Sequence, residues 1–210
     1  MSKPKRIGIF GGTFDPPHFG HLILAAEAQY QLKLDLLHFV LTPNPPHKQG
    51  LHLTPLEDRV AMLSAAIEGH QGFELSTVDI DRPGPHYTAD TMQILREQYP
   101  EEILIYLMGG DSLVGLLYDW HKEAEFIDSC DLIGVMRRPQ DKLDFAPIEE
   151  AFPGIIEKIR FVEAPLLEIA SSQIRRRIRE GRPHCFYLPE PVRRVIAERG
   201  IYQRKTHPIE

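Results

Sequence analysis

Residues 11–21 read GGTFDPPHFGH. The stretch follows an apolar run, Arg6-Ile7-Gly8-Ile9-Phe10, and precedes a helical pattern, Leu22-Ile23-Leu24-Ala25-Ala26-Glu27-Ala28. A strand therefore passes into a helix through paired glycines, paired prolines and two histidines three residues apart. Gly11 and Gly12 allow a ligand close to the backbone, and Pro16 and Pro17 stiffen the turn. His18 and His21, spaced i, i+3, share one side of the helix start. They join there the unpaired N–H groups and positive end of the helix dipole. Such a donor set suits an anion, phosphate above all. The end of a first strand is also where open α/β sheets bind ligands.

The loop matches neither common phosphate loop. Residues 8–12, GIFGG, do not give G-x-G-x-x-G, and no G-x-x-x-x-G-K-[ST] occurs in the chain. A zinc reading of the histidine pair needs further ligands. His47, His52, His86 and His121 make no ligand spacing with the pair, so no metal site is assigned.

Outward from this loop, short β-rich runs alternate with helical patterns. Strands are expected at 6–10, 36–42, 73–77, 103–108, 131–136 and 159–162, several of them nearly continuous apolar runs. Helices are expected at 21–31, 55–68, 89–98, 112–118 and 121–128. This alternation implies right-handed βαβ units and a doubly wound α/β sheet, mainly parallel, with helices on both faces. At the second helix, Thr54 as N-cap, Pro55 at N1 and Glu57 at N3 read as a capping box. Leu56, Val60, Leu63 and Ile67 form its core face. After Pro165 the chain turns helical: a basic helix over 173–180 closed by Gly181, and a last helix over 191–199 ending at Gly200.

The totals narrow the class. With 210 residues and 42% apolar composition, the chain can bury the core of one α/β domain. A net charge of −6 argues against general nucleic-acid affinity. Cys130 and Cys185 form no C-x-x-C and read as reduced, structural thiols. The basic start, residues 1–6, is followed by too short an apolar run for a signal peptide. No stretch reaches the ~20 apolar residues of a membrane span, so a cytoplasmic location is expected, with no membrane partner.

The loop resembles the (T/H)xGH-bearing loop of the nucleotidyltransferase α/β-phosphodiesterase superfamily. The longer GGTFDPPHFGHL resembles that of bacterial nicotinate-nucleotide adenylyltransferases in particular. Ile169-Ala170-Ser171-Ser172-Gln173-Ile174-Arg175 resembles their ISSTxIR, with Ala170 for the first Ser and Ser172 for Thr. Between these lie segments similar to the family's in the same order: Asn44-Pro45-Pro46-His47-Lys48, Tyr87-Thr88-Ala89-Asp90-Thr91, Gly109-Gly110-Asp111-Ser112-Leu113 with Trp120-His121, and Arg137-Arg138-Pro139. The closing Phe186-Tyr187-Leu188-Pro189 and Gly200-Ile201-Tyr202 are similar too, so the likeness spans nearly the whole chain.

The resemblance implies one nucleotidyltransferase domain over 1–210, a Rossmann-like core at 1–165 and a helical part at 166–210 completing an ATP site. It implies adenylyl transfer from ATP to nicotinate mononucleotide in NAD biosynthesis, with Mg²⁺ accompanying the phosphates. His18, His21, Lys48 and Arg175 would then be catalytic. Gly11, Gly12, Thr13, Phe14, Gly20, Gly109, Asp111, Arg138, Ser171, Ser172 and Ile174 would join His18, His21 and Arg175 around ATP. Asp15, Asn44, His47, Lys48, Tyr87, Thr88 and Trp120 would hold the acceptor. Asp111 reads equally as a helix N-cap. Ile174 also reads, with Ile178, as a buried stripe. Rival acceptors are nicotinamide mononucleotide and phosphopantetheine. A non-catalytic nucleotide-binding module is a further rival, disfavoured by the intact histidines and Arg175. A homo-oligomer is compatible with all of this.

Overall fold

The computed structural model describes residues 3–46, 53–137, 144–165 and 167–203. Six strands form one sheet: β1 (Arg6–Gly12), β2 (Leu36–Leu41), β3 (Phe73–Ser76), β4 (Ile103–Gly109), β5 (Leu132–Arg137) and β6 (Ile159–Glu163). Their order is β3-β2-β1-β4-β5-β6, and every neighbouring pair is parallel. The helices are α1 (Phe19–Gln31), α2 (Leu56–Ile67), α3 (Thr88–Gln98), α4 (Gly110–Gly115), α5 (Glu123–Ser129), α6 (Ala146–Ala151), α7 (Ile155–Lys158), α8 (Ser171–Arg179) and α9 (Glu190–Glu198). This is the doubly wound α/β fold that the alternation implies.

The side-chain period of a strand explains the layering. On β1, Ile7 and Ile9 face one core, shared with Met92 of α3, Leu113 of α4 and Phe126 of α5. Phe10 faces the other, shared with Ala25 of α1, Met62 of α2, Ile174 of α8 and Val192 of α9. The central strands are covered on both faces and read as mostly apolar, while the edge strands β3 and β6 expose residues such as Glu74 and Arg160. The C-terminal helices pack on the same core as α1 and α2. Their ends are as expected: Gly181 and Gly200 take φ of 66° and 62°, a left-handed conformation that costs glycine little. Between β1 and β4 the winding reverses, which opens a crevice at the carboxyl ends of those strands.

Three local readings are corrected. The capping box at α2 does not form: Pro55 is the N-cap, with no side-chain cap bond. Thr54 instead donates its backbone N–H to the Asp15 carboxylate at 3.3 Å. The helix expected from 121 starts at Glu123, because Lys122 has φ 55° and so cannot be a helical residue. The helix expected over 112–118 is α4, one turn that starts earlier and gives way to turns after Gly115. Helices α6 and α7 were not anticipated, since four to six residues carry too little periodicity to read. Cys130 and Cys185 are both free.

Candidate active site

The chain leaves the sheet at Gly12, and Phe14 turns it with φ 46°. His18 is the N-cap of α1. Its backbone N–H donates to Nδ1 of His21 at 3.2 Å. That bond uses the Nδ1 lone pair, so a neutral His21 carries its proton on Nε2. The two imidazoles stack, centroids 3.7 Å apart and 28° between planes. A Cβ at position 20 would lie 3.0 Å from His18 Nδ1, so glycine there makes room for the stack. His18 is 6% exposed, and its Nδ1 is buried without a hydrogen bond among the described residues. Burial lowers its pKa from 6.5 to about 4, because desolvation disfavours the charged ring. His18 is neutral near pH 7.

Helix α8 is fastened to this loop. Ser171 Oγ donates to the Pro16 carbonyl at 2.9 Å, and Arg175 Nη1 to the Asp15 carbonyl at 2.7 Å. The start of α8 therefore stands beside the start of α1, with Ser172 exposed. Two helix N-termini, two histidines, an arginine and hydroxyls share one neighbourhood. That concentration of donors suits a chain of phosphates.

Some expected contacts fall elsewhere. The Phe14 ring is buried against Phe10, Phe39 and His21, so only its backbone could meet a ligand. Ile174 is fully buried in the core, and its N–H bonds the Ala170 carbonyl; the buried-stripe reading is the correct one for its side chain. Asp15 is 1% exposed. One of its carboxylate oxygens accepts from the Tyr202 hydroxyl at 2.5 Å, the other from the Thr54 N–H at 3.3 Å. Its second oxygen lies 3.9 Å from Arg175 Nη1. That carboxylate is used inside the protein.

Beyond Thr13, a cavity of about 810 Å³ opens at the carboxyl ends of β1 and β4. Gly11, Gly12 and Thr13 form one wall, and Tyr87, Thr88 and Trp120 another. Tyr87 is the N-cap of α3, so the first N–H groups of that helix lie at this wall without intrahelical acceptors. The Tyr87 ring packs on His121 at 4.2 Å, and Trp120 on Phe126 at 4.7 Å. Tyr106 lines the floor; burial pushes its pKa up to about 12, so it remains a neutral hydroxyl. Asp79, also lining, is neutralised by Arg82, whose Nε and Nη2 donate at 3.1 and 2.8 Å, and it accepts from Thr91 Oγ1 at 2.7 Å. Asp111 lines the cavity from the first turn of α4, whose N-cap is Gly109. Asn44 is exposed and donates its N–H to His86 Nδ1 at 3.3 Å, while the adjacent Pro45 and Pro46 line the cavity. His18, His21, Gly20, Ser171 and Arg175 stand outside the lining. His47, Lys48 and Arg138 lie outside the described residues.

Known proteins resemble this chain. The model of the cytidylyltransferase-like family matches residues 9–177. A probable nicotinate-nucleotide adenylyltransferase of Thermomicrobium roseum is 43% identical over 95% of this chain and 92% of its own length. The nicotinate-nucleotide adenylyltransferase of Bacillus subtilis is 38% identical over 95% of this chain and 99% of its own. The chain belongs to the nicotinate-nucleotide adenylyltransferase family. Among solved structures, the nicotinic acid mononucleotide adenylyltransferase of Plasmodium falciparum in complex with NaAD superposes with TM-score 0.76. It covers 94% of this chain and 97% of its own, at 19% identity, a likeness of fold.

Sequence reasoning missed several residues around this adenylyltransferase site. Tyr106 carried no signal beyond an aromatic in an apolar strand, and Tyr202 entered only as part of a matched closing segment, with no role assigned. Asp79 and Arg82, three apart, look like any surface pair. Arg59 could have been found. It occupies the i+3 position from Leu56 and the i−4 position from Leu63, on the apolar stripe of α2, where a charge must find partners.

Proposed function

We propose that the chain transfers the adenylyl group of ATP to nicotinate mononucleotide, releasing pyrophosphate and forming nicotinate adenine dinucleotide, a step of NAD biosynthesis. One observation carries the reading. A concentrated anion site at the starts of α1 and α8 adjoins an aromatic cavity at the crevice of a doubly wound sheet, in a chain of this family.

In this reaction a phosphate monoester oxygen of the acceptor attacks the α-phosphorus of ATP. The bond from that phosphorus to the bridging oxygen breaks, and pyrophosphate leaves with the electron pair. The nucleophile has a second pKa of about 6 and is largely a dianion at pH 7, so no general base is required. The protein's task is to align two polyanions and offset charge on the transferred group. His21 donates from Nε2 to the reacting phosphate. His18 contributes without a positive charge, as a neutral ring. Ser171, Ser172 and the N-terminus of α8 hold the leaving phosphates, with Arg175 turning from the Asp15 carbonyl to join them. Thr13 and the backbone of Gly11 and Gly12 seat the nucleotide between the two ends.

The acceptor ring lies in the cavity against Trp120, and the N–H groups at the start of α3, near Thr88, receive its carboxylate. Asp79 would repel that carboxylate if bare, and Arg82 prevents this. An amide in place of the acid presents donors to donors, an unfavourable pairing. The proposed metal is Mg²⁺, which takes oxygen ligands and keeps several waters. Among the described residues no group of His, Cys, Asp and Glu is built to cage a metal, so phosphate oxygens and water are its natural ligands, with Asp111 the carboxylate at the cavity. It supplies charge neutralisation on the phosphates. A cytoplasmic location is part of this proposal.

The test is pyrophosphate release from ATP and Mg²⁺ with each of three acceptors: nicotinate mononucleotide, nicotinamide mononucleotide and phosphopantetheine. Fast release with the first alone is expected. No release with nicotinate mononucleotide would overturn the reading.

A further inference from the structure

Arg59 is 3% exposed, and its guanidinium donates to backbone carbonyls. Its Nε donates to the Thr54 carbonyl at 2.9 Å. Nη1 donates to the carbonyls of Thr42 at 3.0 Å and Thr13 at 3.4 Å, and Nη2 to that of Pro43 at 3.1 Å. These acceptors come from three separate places in the chain. Thr13 begins the connection after β1. Thr42 and Pro43 begin the connection after β2. Thr54 ends that same connection, one residue before the N-cap of α2. A single guanidinium thus grips both ends of the segment that leaves β2 and ties them to the glycine loop.

We infer that Arg59 is a positioning residue for the acceptor: it fixes the span of the β2–α2 connection and its distance from the β1 loop. The inference rests on the adenylyl-transfer reading above. Pro45 and Pro46 line the cavity directly downstream of the gripped residues, and Thr13 lines it from the other side. Moving either carbonyl group moves a wall.

The residue type is part of the argument. Arginine has a rigid planar fork of five donors, and four carbonyls converge on it from different directions. Lysine offers donors from one point only. The charge itself is costly to bury. Burial draws the Arg59 pKa down, and the Asp15 carboxylate opposes this. A leucine at this stripe position would pack the helix at no such cost, so filling the core does not account for arginine. Holding backbone carbonyls that would otherwise be buried unpaired does.

The test compares wild type with Arg59→Lys and Arg59→Gln, the latter a neutral group that still carries donors. Kinetics are measured with each substrate varied in turn, and amide exchange is followed in peptides covering 11–15 and 42–46. For a folded variant, kcat/KM for nicotinate mononucleotide should fall on the order of 100-fold, as expected for a wall displaced by about 1 Å. KM for ATP should rise less than KM for nicotinate mononucleotide, because of the gripped residues only Thr13 also seats the nucleotide. Arg59→Lys should do better than Arg59→Gln. Exchange should rise in both peptides together and stay unchanged in β4 and α3. Unchanged acceptor kinetics in a folded variant, equal losses for both substrates, or failure of both variants to fold would each overturn the proposal and leave Arg59 a residue of the fold alone. If wild type shows no turnover while exchange still rises at both loops, the adenylyl-transfer reading fails and the clamp stands.

Discussion

Replacing His18 with Gln should remove a specific part of the protein's acid sensitivity. Burial holds the His18 pKa at about 4 against 6.5 for an ordinary histidine. Between these values the unfolded chain binds a proton at His18 and the folded chain does not. Stability attributable to this ring is therefore fully retained above pH 6.5 and is lost as pH falls toward 4. The displacement corresponds to about 2 kcal/mol lost by pH 5 and about 3 kcal/mol by pH 4. His38, whose pKa is also lowered by burial, adds its own acid sensitivity in the same direction. The comparison of the two proteins cancels that contribution, because His38 is present in both. The assay is urea unfolding at steps from pH 7.5 to 4.5, read by fluorescence of the single tryptophan, Trp120. Wild type should lose about 2 kcal/mol more than His18→Gln between pH 7 and 5. A difference that stays constant with pH would refute the claim that His18 is buried neutral. So would a His18 ring titration by NMR with its midpoint near 6.5.

Other outcomes follow from the same geometry. His21→Ala should lower kcat by orders of magnitude; loss of the acceptor for the His18 N–H costs only about 1 kcal/mol in stability, so the fold should persist by circular dichroism. Trp120→Ala should raise KM for nicotinate mononucleotide far more than KM for ATP, and equal losses would make Trp120 a packing residue only. Ile174→Ala should destabilise by about 2–5 kcal/mol in urea, since that side chain is core. Tyr202→Phe removes a hydrogen bond to the buried Asp15 carboxylate and should cost about 1–3 kcal/mol in the same assay.

The six strands were legible because each is an apolar run bounded by turn residues, and buried parallel strands need no more than that. The loop over 11–21 was legible because its glycines, prolines and histidines are local choices that a local geometry demands. Residue roles were read less evenly. Phe14 and Ile174 sit within the ligand motifs, but the motif string does not distinguish a side chain facing the ligand from one anchoring the loop to the core. The capping box at Thr54 failed for a related reason. Thr54 is turned to Asp15, 39 residues earlier in the chain, which accepts its N–H, and no local pattern announces that.

The sequence by itself determined the element order, the parallel sheet and a glycine-, proline- and histidine-bearing loop at its switch point, since these depend on periodicity and on backbone preferences of neighbouring residues. Tertiary structure alone decided what the charged groups do. Ser171 and Pro16 are 155 residues apart, and Arg175 and Asp15 are 160 apart, yet they join two helix starts into one site. Arg59 in isolation reads as a flaw in an apolar stripe. Folding surrounds it with four carbonyls and a carboxylate, and a buried charge is tolerable only where the whole chain brings such partners to it.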